Sequence, residues 1–408
     1  MKNKFALVLV IFVFLHTLRY FDYIEFNPTI GGWISKICSL FFIFFSIKNR
    51  FIVEDMPMKN VFLGLLLIPI SSFLSCWIEN GQSIFESARV YLPYFLVLVY
   101  FYCHKKRIDE NSLIKWITIL AIIRTSLLII QQFTYPDYWF AFRTEGYDED
   151  LGIVKEIEVR SGILRFYIED TYLSMFIVFF YLQRMLERFN WRIFVIFLYG
   201  LVGIYMDQSR QFMVTTFASI FIVLLFGSSI KQKLKYLGWL SIFVVILFVF
   251  ADRLFEELME KTVEESSEDN IRIMAYYFFS VDFWGGPLSI VFGNGLPGRS
   301  SYGDLCKYYS TDYGLYRADV GIVGAMSLFG IVSVIYLLYA FGVILIKKWN
   351  CIDAYLRMFF LSSFLSIPLI TIYTQNLNYF VFWSLMFYLM DLSIKKNTKD
   401  YSDQICHF

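Results

Sequence analysis

Long apolar runs recur along this chain, separated by short polar breaks, and most are too long to be helices of a soluble core. A membrane-spanning helix needs about 20 mainly apolar residues. About twelve segments meet that requirement within a few residues, near 5–22, 30–47, 60–78, 88–103, 113–133, 166–182, 193–206, 211–228, 236–251, 320–346, 356–373 and 378–394. The pattern predicts an all-α protein, a polytopic bundle of transmembrane helices forming one integral membrane domain over 1–408. The Met-Lys-Asn-Lys start with Phe5 to Leu18 resembles a signal peptide. Arg19-Tyr20-Phe21-Asp22 follows in place of small residues, which predicts an uncleaved first span.

Charge orients the bundle. Lys and Arg cluster at every second connection: Lys2/Lys4, Lys48/Arg50, Lys105-Lys106-Arg107, Arg184/Arg188/Arg192, Lys231/Lys233/Lys235, Lys347-Lys348 and Lys395-Lys396. Short basic loops stay in the cytoplasm, so both termini are expected inside. The two long loops, 134–165 and 252–319, then emerge on the outer face. The second opens with Arg253 to Glu260 at helical apolar spacing, followed by the acidic turn Glu264 to Asp269. A second amphipathic segment, Ile271 to Trp284, is expected to lay Ile273, Tyr277, Phe278 and Val281 against the bundle.

Composition agrees, with 58% hydrophobic, 21% aromatic and 17% charged residues, against roughly 45–50% apolar and about 25% charged in soluble domains. The net charge of +1 gives no basic field to recruit nucleic acid. The six cysteines show no CxxC spacing, which argues against a disulfide framework or a zinc site. No internal repeat is evident, which weakens a transporter reading.

Two motif-like strings carry little. Gly293-Asn294-Gly295-Leu296-Pro297-Gly298 fits GxGxxG but lacks βαβ context and has Pro297 where a helix should begin, so it is read as a turn. Asp148-Glu149-Asp150 is read as an acidic turn of an outward loop. The three histidines, His16, His104 and His407, all avoid the outward loops, which argues against histidine bases or histidine-held metals there.

Arginines at the outer boundary carry the chemistry: Arg160, Arg165, Arg210, Arg272, Arg299 and Arg317. A guanidinium keeps its charge and presents a planar fork that suits phosphate oxygens, although such residues also serve as headgroup anchors. Arg210 stands out because the turn Asp207-Gln208-Ser209-Arg210 is short enough to fix its depth. Glu169 and Asp170 follow Arg160 and Arg165, and Asp319 follows Arg317 ahead of Gly321 and Gly324, so carboxylates accompany the cations. Arg124 sits near the middle of a span and must face a cavity or a partner.

With these elements the chain resembles the bacterial O-antigen polymerase and ligase superfamily, closest to the Wzy-like polysaccharide polymerases. The resemblance rests on the twelve-span layout with two enlarged outward loops and on Asp207-Gln208-Ser209-Arg210-Gln211. It rests also on Asn270-Ile271-Arg272 with Phe292-Gly293-Asn294-Gly295, and on Asp312-Tyr313-Gly314 through Asp319-Val320-Gly321. The ligase branch characteristically carries a histidine in the large outward loop, and none is present here. The resemblance implies a GT-C-like fold in the bacterial cytoplasmic (inner) membrane. It also implies a glycosyltransferase without metal or cofactor that joins polyprenyl-pyrophosphate-linked repeat units into O-antigen, capsule or exopolysaccharide. Arg124, Arg160, Arg165, Arg210, Arg272, Arg299 and Arg317 would bind pyrophosphate or substrate, and Asp319, Asp170 or Glu169 would take the acceptor proton. Expected partners are the lipid-linked oligosaccharide, membrane lipid, a flippase and a chain-length regulator, with no nucleic acid. The competing readings are an O-antigen ligase and a lipid-linked oligosaccharide flippase or transporter.

Overall fold

The computed structural model describes residues 2–17, 28–49, 56–135, 159–160, 163–164, 171–207, 209–226, 271–374 and 377–400. These residues are nearly all helical. In chain order the helices are α1 (Lys2–Thr17), α2 (Pro28–Lys48), α3 (Lys59–Leu67), α4 (Ser72–Asn80), α5 (Ile84–Tyr91), α6 (Val99–Lys106), α7 (Glu110–Thr134), α8 (Thr171–Glu187), α9 (Trp191–Met206) and α10 (Arg210–Phe226). Then come α11 (Ile271–Tyr277), α12 (Pro287–Phe292), α13 (Ser301–Asp312), α14 (Gly321–Gly342), α15 (Ala354–Leu365) and α16 (Leu377–Asp400). The antiparallel hairpin β1 (Val159–Arg160) and β2 (Ile163–Leu164) departs from the all-α expectation.

Among the described residues, four continuous helical stretches are long and apolar enough to cross a membrane: Lys59–Asn80, Ile84–Lys106, Glu110–Thr134 and Arg317–Lys347. The chain is a helical membrane protein. Helix occupies the described part of each predicted span except 356–373, while 236–251 and the amphipathic stretch 253–260 lie outside the described residues. In 356–373, α15 stops at Leu365 and turns follow to Thr374. Pro368 is the reason, since its ring cannot accept the carbonyl four residues earlier and it has no N–H to donate.

Proline also interrupts the first two crossing stretches, but there the helix continues through 3₁₀ turns, Ile68–Ser71 at Pro69 and Leu92–Leu98 at Pro93. Hydroxyls serve the carbonyls that the first break releases: Ser71 donates to Ile68 O and Ser72 to Pro69 O, both at 2.7 Å. Lipid would leave those groups unsatisfied, so side chains must reach them. Asp109 caps α7 through Ser112 N at 2.8 Å, and Asn190 caps α9 through Arg192 N at 2.9 Å.

The centre of the bundle is α16, in which every residue from Tyr379 to Asp391 is buried. A helix apolar on all sides belongs in the interior. It packs on α1, α6 and the 92–98 turn, with Trp383 edge-on to Phe341 and Phe360. Asp391 is the one charged residue of the 379–391 stretch, and it is met in full. It accepts from Met58 N at 2.9 Å and the Tyr100 hydroxyl at 2.5 Å, and lies 3.0 Å from His104 Nε2. Tyr388 donates to Ile108 O, and Asp353 N donates to Ser393 Oγ at 2.8 Å. These ties gather Lys105 to Arg107, Lys347-Lys348 and Lys395-Lys396 at one end of the bundle, and Glu110 there faces Lys396 and Arg184. These clusters of the alternating charge pattern thus share one physical end, while Lys231, Lys233 and Lys235 lie outside the described residues.

The opposite end is built around a break in α14. Gly330 has φ +75°, which interrupts the helix and frees the carbonyls of Ser327 and Leu328. Asn294 N donates to Ser327 O at 2.9 Å and Gly295 N to Leu328 O at 2.8 Å, so the 293–298 turn docks into the break. A Cβ at Gly330 would lie 2.2 Å from Val291 O, a backbone atom that cannot step aside. Gly330→Ala is therefore expected to destabilise the fold by about 4 kcal/mol or more, combining left-handed strain with a backbone overlap. Thermal unfolding of the purified protein reads this directly, and a melting temperature equal to wild type would show that the break is not required.

Candidate functional site

The turns after α15 are where the outer elements meet. Because Pro368 stops the helix, the carbonyls of Ile367 and Pro368 are left for other partners, while Ser366 O accepts from Leu369 N and Ile370 N and takes a further donor as well. Gln211 Nε2 donates to Ser366 O at 2.9 Å, Ile322 N donates to Ile367 O at 3.0 Å, and the Tyr276 hydroxyl donates to Pro368 O. Those three donors stand beside Arg210 at the start of α10, Arg272 on α11 and Arg317 before α14. Three arginine-bearing elements far apart in sequence are thereby held on one short segment, at the end opposite the basic clusters. Arg210 and Arg317 are half-buried, and Arg272 is exposed. The charge of Arg272 bears on Tyr276, whose phenol burial nonetheless holds above its ordinary range.

Asp319 is exposed on the same 3₁₀ turn as Arg317, Arg317–Val320, and α11 packs against that turn. Arg299 lies apart, exposed beside α5. Its backbone N–H donates to Glu86 Oε1 at 2.5 Å, and Arg89 Nε donates to Glu86 Oε2 at 2.6 Å. Arg160 pairs through its backbone with Ile163 in the hairpin, and Gln132 pins that hairpin by bonding Leu164 N and O at 3.0 and 2.7 Å. Arg165, Glu169 and Asp170 lie outside the described residues.

The α11 segment sits the other way round from the sequence expectation. Ala275, Phe279 and Phe283 face inward, while Ile273, Tyr277 and Val281 are exposed and Phe278 is half-buried. The inward face is fixed by Arg317, whose guanidinium carbon sits 5.2 Å from the Phe279 ring centre and 4.7 Å from that of Phe283. Each contact is a cation–π pairing worth more when water is excluded. A single wide turn, Phe278–Asp282, lets both rings reach the same cation.

Arg317 also donates from Nε to Ser327 Oγ at 3.3 Å, and from Nη2 to the Tyr302 hydroxyl and Cys306 Sγ, each at 3.2 Å. None of its partners among the described residues is a carboxylate. Tyr302 passes its own proton toward Gly295 O at 3.0 Å, and burial holds its phenol well above the ordinary range, so it acts as a neutral relay between Arg317 and the turn. Beside this cluster lies a cavity of about 390 Å³ whose walls include Phe279, Phe283, Tyr309, Leu315, Tyr316 and Arg317. Cys306 also opens onto it. Tyr308 and Tyr313 share a hydroxyl contact of 3.2 Å further along α13, and that bond lifts the Tyr308 phenol above its usual value.

Arg124 has a different setting. It is fully buried, pairs with Asp207 and donates from Nη1 to Ser174 Oγ at 3.3 Å. Gly203 makes room for this contact, since a Cβ there would lie 2.4 Å from Ser174 Oγ and 2.5 Å from Thr125 Oγ1. The pair joins α7, α8 and α9 just before the turn that leads to Arg210.

Several residues that build this end carry no motif in the sequence. Glu79 accepts from Leu288 N at 2.8 Å and Ser289 N at 2.7 Å, clamping α12, and Gln82 bonds Gly298 N at 2.8 Å and Leu296 O at 2.9 Å. Acids and amides at the close of an apolar run were the available signal. Among the described residues no three His, Cys, Asp or Glu side chains gather as a metal would need. Comparison with protein-family models and with curated proteins finds no match for the chain, so the chemistry is argued from its own residues.

Proposed function

We propose that this protein is a polysaccharide polymerase on the outer side of the bacterial cytoplasmic membrane, transferring a growing glycan from its polyprenyl pyrophosphate to a fresh lipid-linked repeat unit. The observation that carries the reading is the convergence of the Arg210, Arg272 and Arg317 elements on 366–368, at the end away from the basic clusters. In this reading that end meets the outer headgroup level, where a membrane presents the phosphates of a lipid-linked substrate. The acceptor hydroxyl attacks the anomeric carbon, the bond from that carbon to the pyrophosphate oxygen breaks, and the leaving group departs with the electron pair. Arg210 and Arg272 stabilise that developing charge. A carboxylate removes the hydroxyl proton, and exposed Asp319 stands on the element that reaches the same segment, with Asp170 and Glu169 as the alternatives. The twelve-span layout with both termini in the cytoplasm belongs to this proposal.

A strain lacking the gene tests it. The expected result is loss of long polymer, with single repeat units still attached to their final acceptor. Long polymer accumulating on the carrier lipid would instead mark a ligase and sink the polymerase reading, and an unchanged polymer ladder would remove the protein from this chemistry.

A further inference from the structure

We infer that the cavity between the 279–283 segment, α13 and the 315–317 turn is a subsite for a single sugar ring of the glycan, distinct from the place where pyrophosphate is held; this rests on the polymerase reading for the identity of the glycan. Its volume of about 390 Å³ falls at the low end of the roughly 300–1,000 Å³ of small-ligand sites. Phe279, Phe283, Tyr309 and Tyr316 line it; the two phenylalanines are buried and already carry the Arg317 guanidinium, so half-buried Tyr309 and exposed Tyr316 are the rings that can meet the C–H groups on the face of a pyranose. All the lining residues belong to the 279–317 stretch of the long loop rather than to the interior of a crossing helix, which disfavours an acyl chain as occupant.

The state of Arg317 separates sugar from phosphate. A guanidinium has five N–H donors, and the bidentate grip on phosphate uses parallel hydrogens on two adjacent nitrogens. Here Nε is committed to Ser327 and Nη2 to both Tyr302 and Cys306, which leaves only the two hydrogens of Nη1. Every two-nitrogen edge is therefore already used. Two hydrogens on one nitrogen suit ring and hydroxyl oxygens of a sugar. The charge itself is steadied by the Phe279 and Phe283 rings instead of a carboxylate. Arg317 thus shapes the cavity and offers donors to a sugar, while Arg210 and Arg272 serve the pyrophosphate.

Cys306 supplies a reporter, since its thiol is half-buried and opens onto the cavity. The full-length protein in phospholipid nanodiscs, free of sugar detergents, is treated with N-ethylmaleimide, and modification of Cys306 is followed by peptide mass. The probes are a panel of methyl glycosides covering neutral hexoses, deoxyhexoses, N-acetylhexosamines and uronic acids, with inorganic pyrophosphate alongside. At a concentration of about ten times its dissociation constant, a glycoside that enters should slow Cys306 alkylation about tenfold. Tyr316→Ala, an exposed position outside the core, should abolish that protection. Saturation-transfer NMR on the same panel, wild type against Tyr316→Ala, gives a readout independent of thiol reactivity. The inference is overturned if no glycoside protects or gives a transfer signal, if pyrophosphate protects as well as the best glycoside, or if protection survives in Tyr316→Ala. Glycoside binding in a protein whose deletion leaves the polymer ladder unchanged would retire the polymerase reading while keeping the subsite. Loss of long polymer without glycoside binding would do the reverse.

Discussion

Replacing Arg124 with leucine is expected to cost the folded protein about 3–5 kcal/mol, because it takes from buried Asp207 the guanidinium paired with it. Arg124 is fully shielded and Asp207 nearly so, and α7, α8 and α9 are packed around the pair. Asp207→Leu should be as harmful, since it takes from the buried guanidinium the carboxylate paired with it. The double variant Arg124→Leu/Asp207→Leu should recover most of the loss, because a matched apolar pair avoids the desolvation that both charges bear. Unfolding of the three variants and the wild type, titrated with SDS in mixed micelles, closes a double-mutant cycle. Additive losses would show that the two charges do not depend on one another. Gly203→Ala offers a second probe, since a methyl group there overlaps the Ser174 and Thr125 hydroxyls beside the pair.

Much of this architecture can be read from the order of apolar residues, because in lipid a spanning helix must be apolar over a fixed length. The lysines and arginines at alternate connections predicted one common face, and the ties through Asp391, Tyr388 and Ser393 draw several of those clusters to one end. Where the reading failed, the cause was a local proline in one case and a tertiary partner far away in sequence in the others. The 356–373 run is apolar enough to span, yet its second half forms turns, because Pro368 cannot extend a helix and other elements claim the freed carbonyls. Helical spacing fits either face of the Ile271 to Trp284 segment. The Phe279 and Phe283 face was selected by Arg317, more than thirty residues downstream, and no local pattern announces such a contact. Glycines in the 293–298 turn signal irregular backbone, but its receptor, the break at Gly330, becomes visible only when α14 is seen to accept its hydrogen bonds. For the site, the Asp207 to Arg210 turn was legible because a short connection between two apolar runs fixes depth. The division of labour proposed for the arginines was not, since it depends on which donors the fold has already used.

That division leads to the strongest functional expectation: Arg210→Ala and Arg272→Ala should each abolish long polymer while leaving expression and membrane insertion intact. Both residues stand at the edge of helices whose neighbours, Gln211 and Tyr276, already bond the 366–368 segment, so the anchoring of each helix survives loss of the arginine. Removing one preorganised donor from a developing anion typically lowers a rate by about 10²–10³. A polymerase slowed to that extent would release short chains in place of long ones. Lysine at either position keeps the charge but loses the planar fork, so Arg210→Lys and Arg272→Lys should retain some chain extension and give shorter ladders. Arg317→Lys should behave differently, because the arginine holds Ser327 from Nε and Tyr302 and Cys306 from Nη2, and the single nitrogen of an ammonium cannot stand at both positions. There the loss of polymer should be accompanied by a lower melting temperature. The measurement is the polymer ladder from a deletion strain complemented with each variant at matched membrane levels. Full-length polymer from Arg210→Ala or Arg272→Ala would refute the role given to that arginine. Lysine and alanine variants that fail equally would show that geometry, beyond charge, is what the leaving pyrophosphate requires.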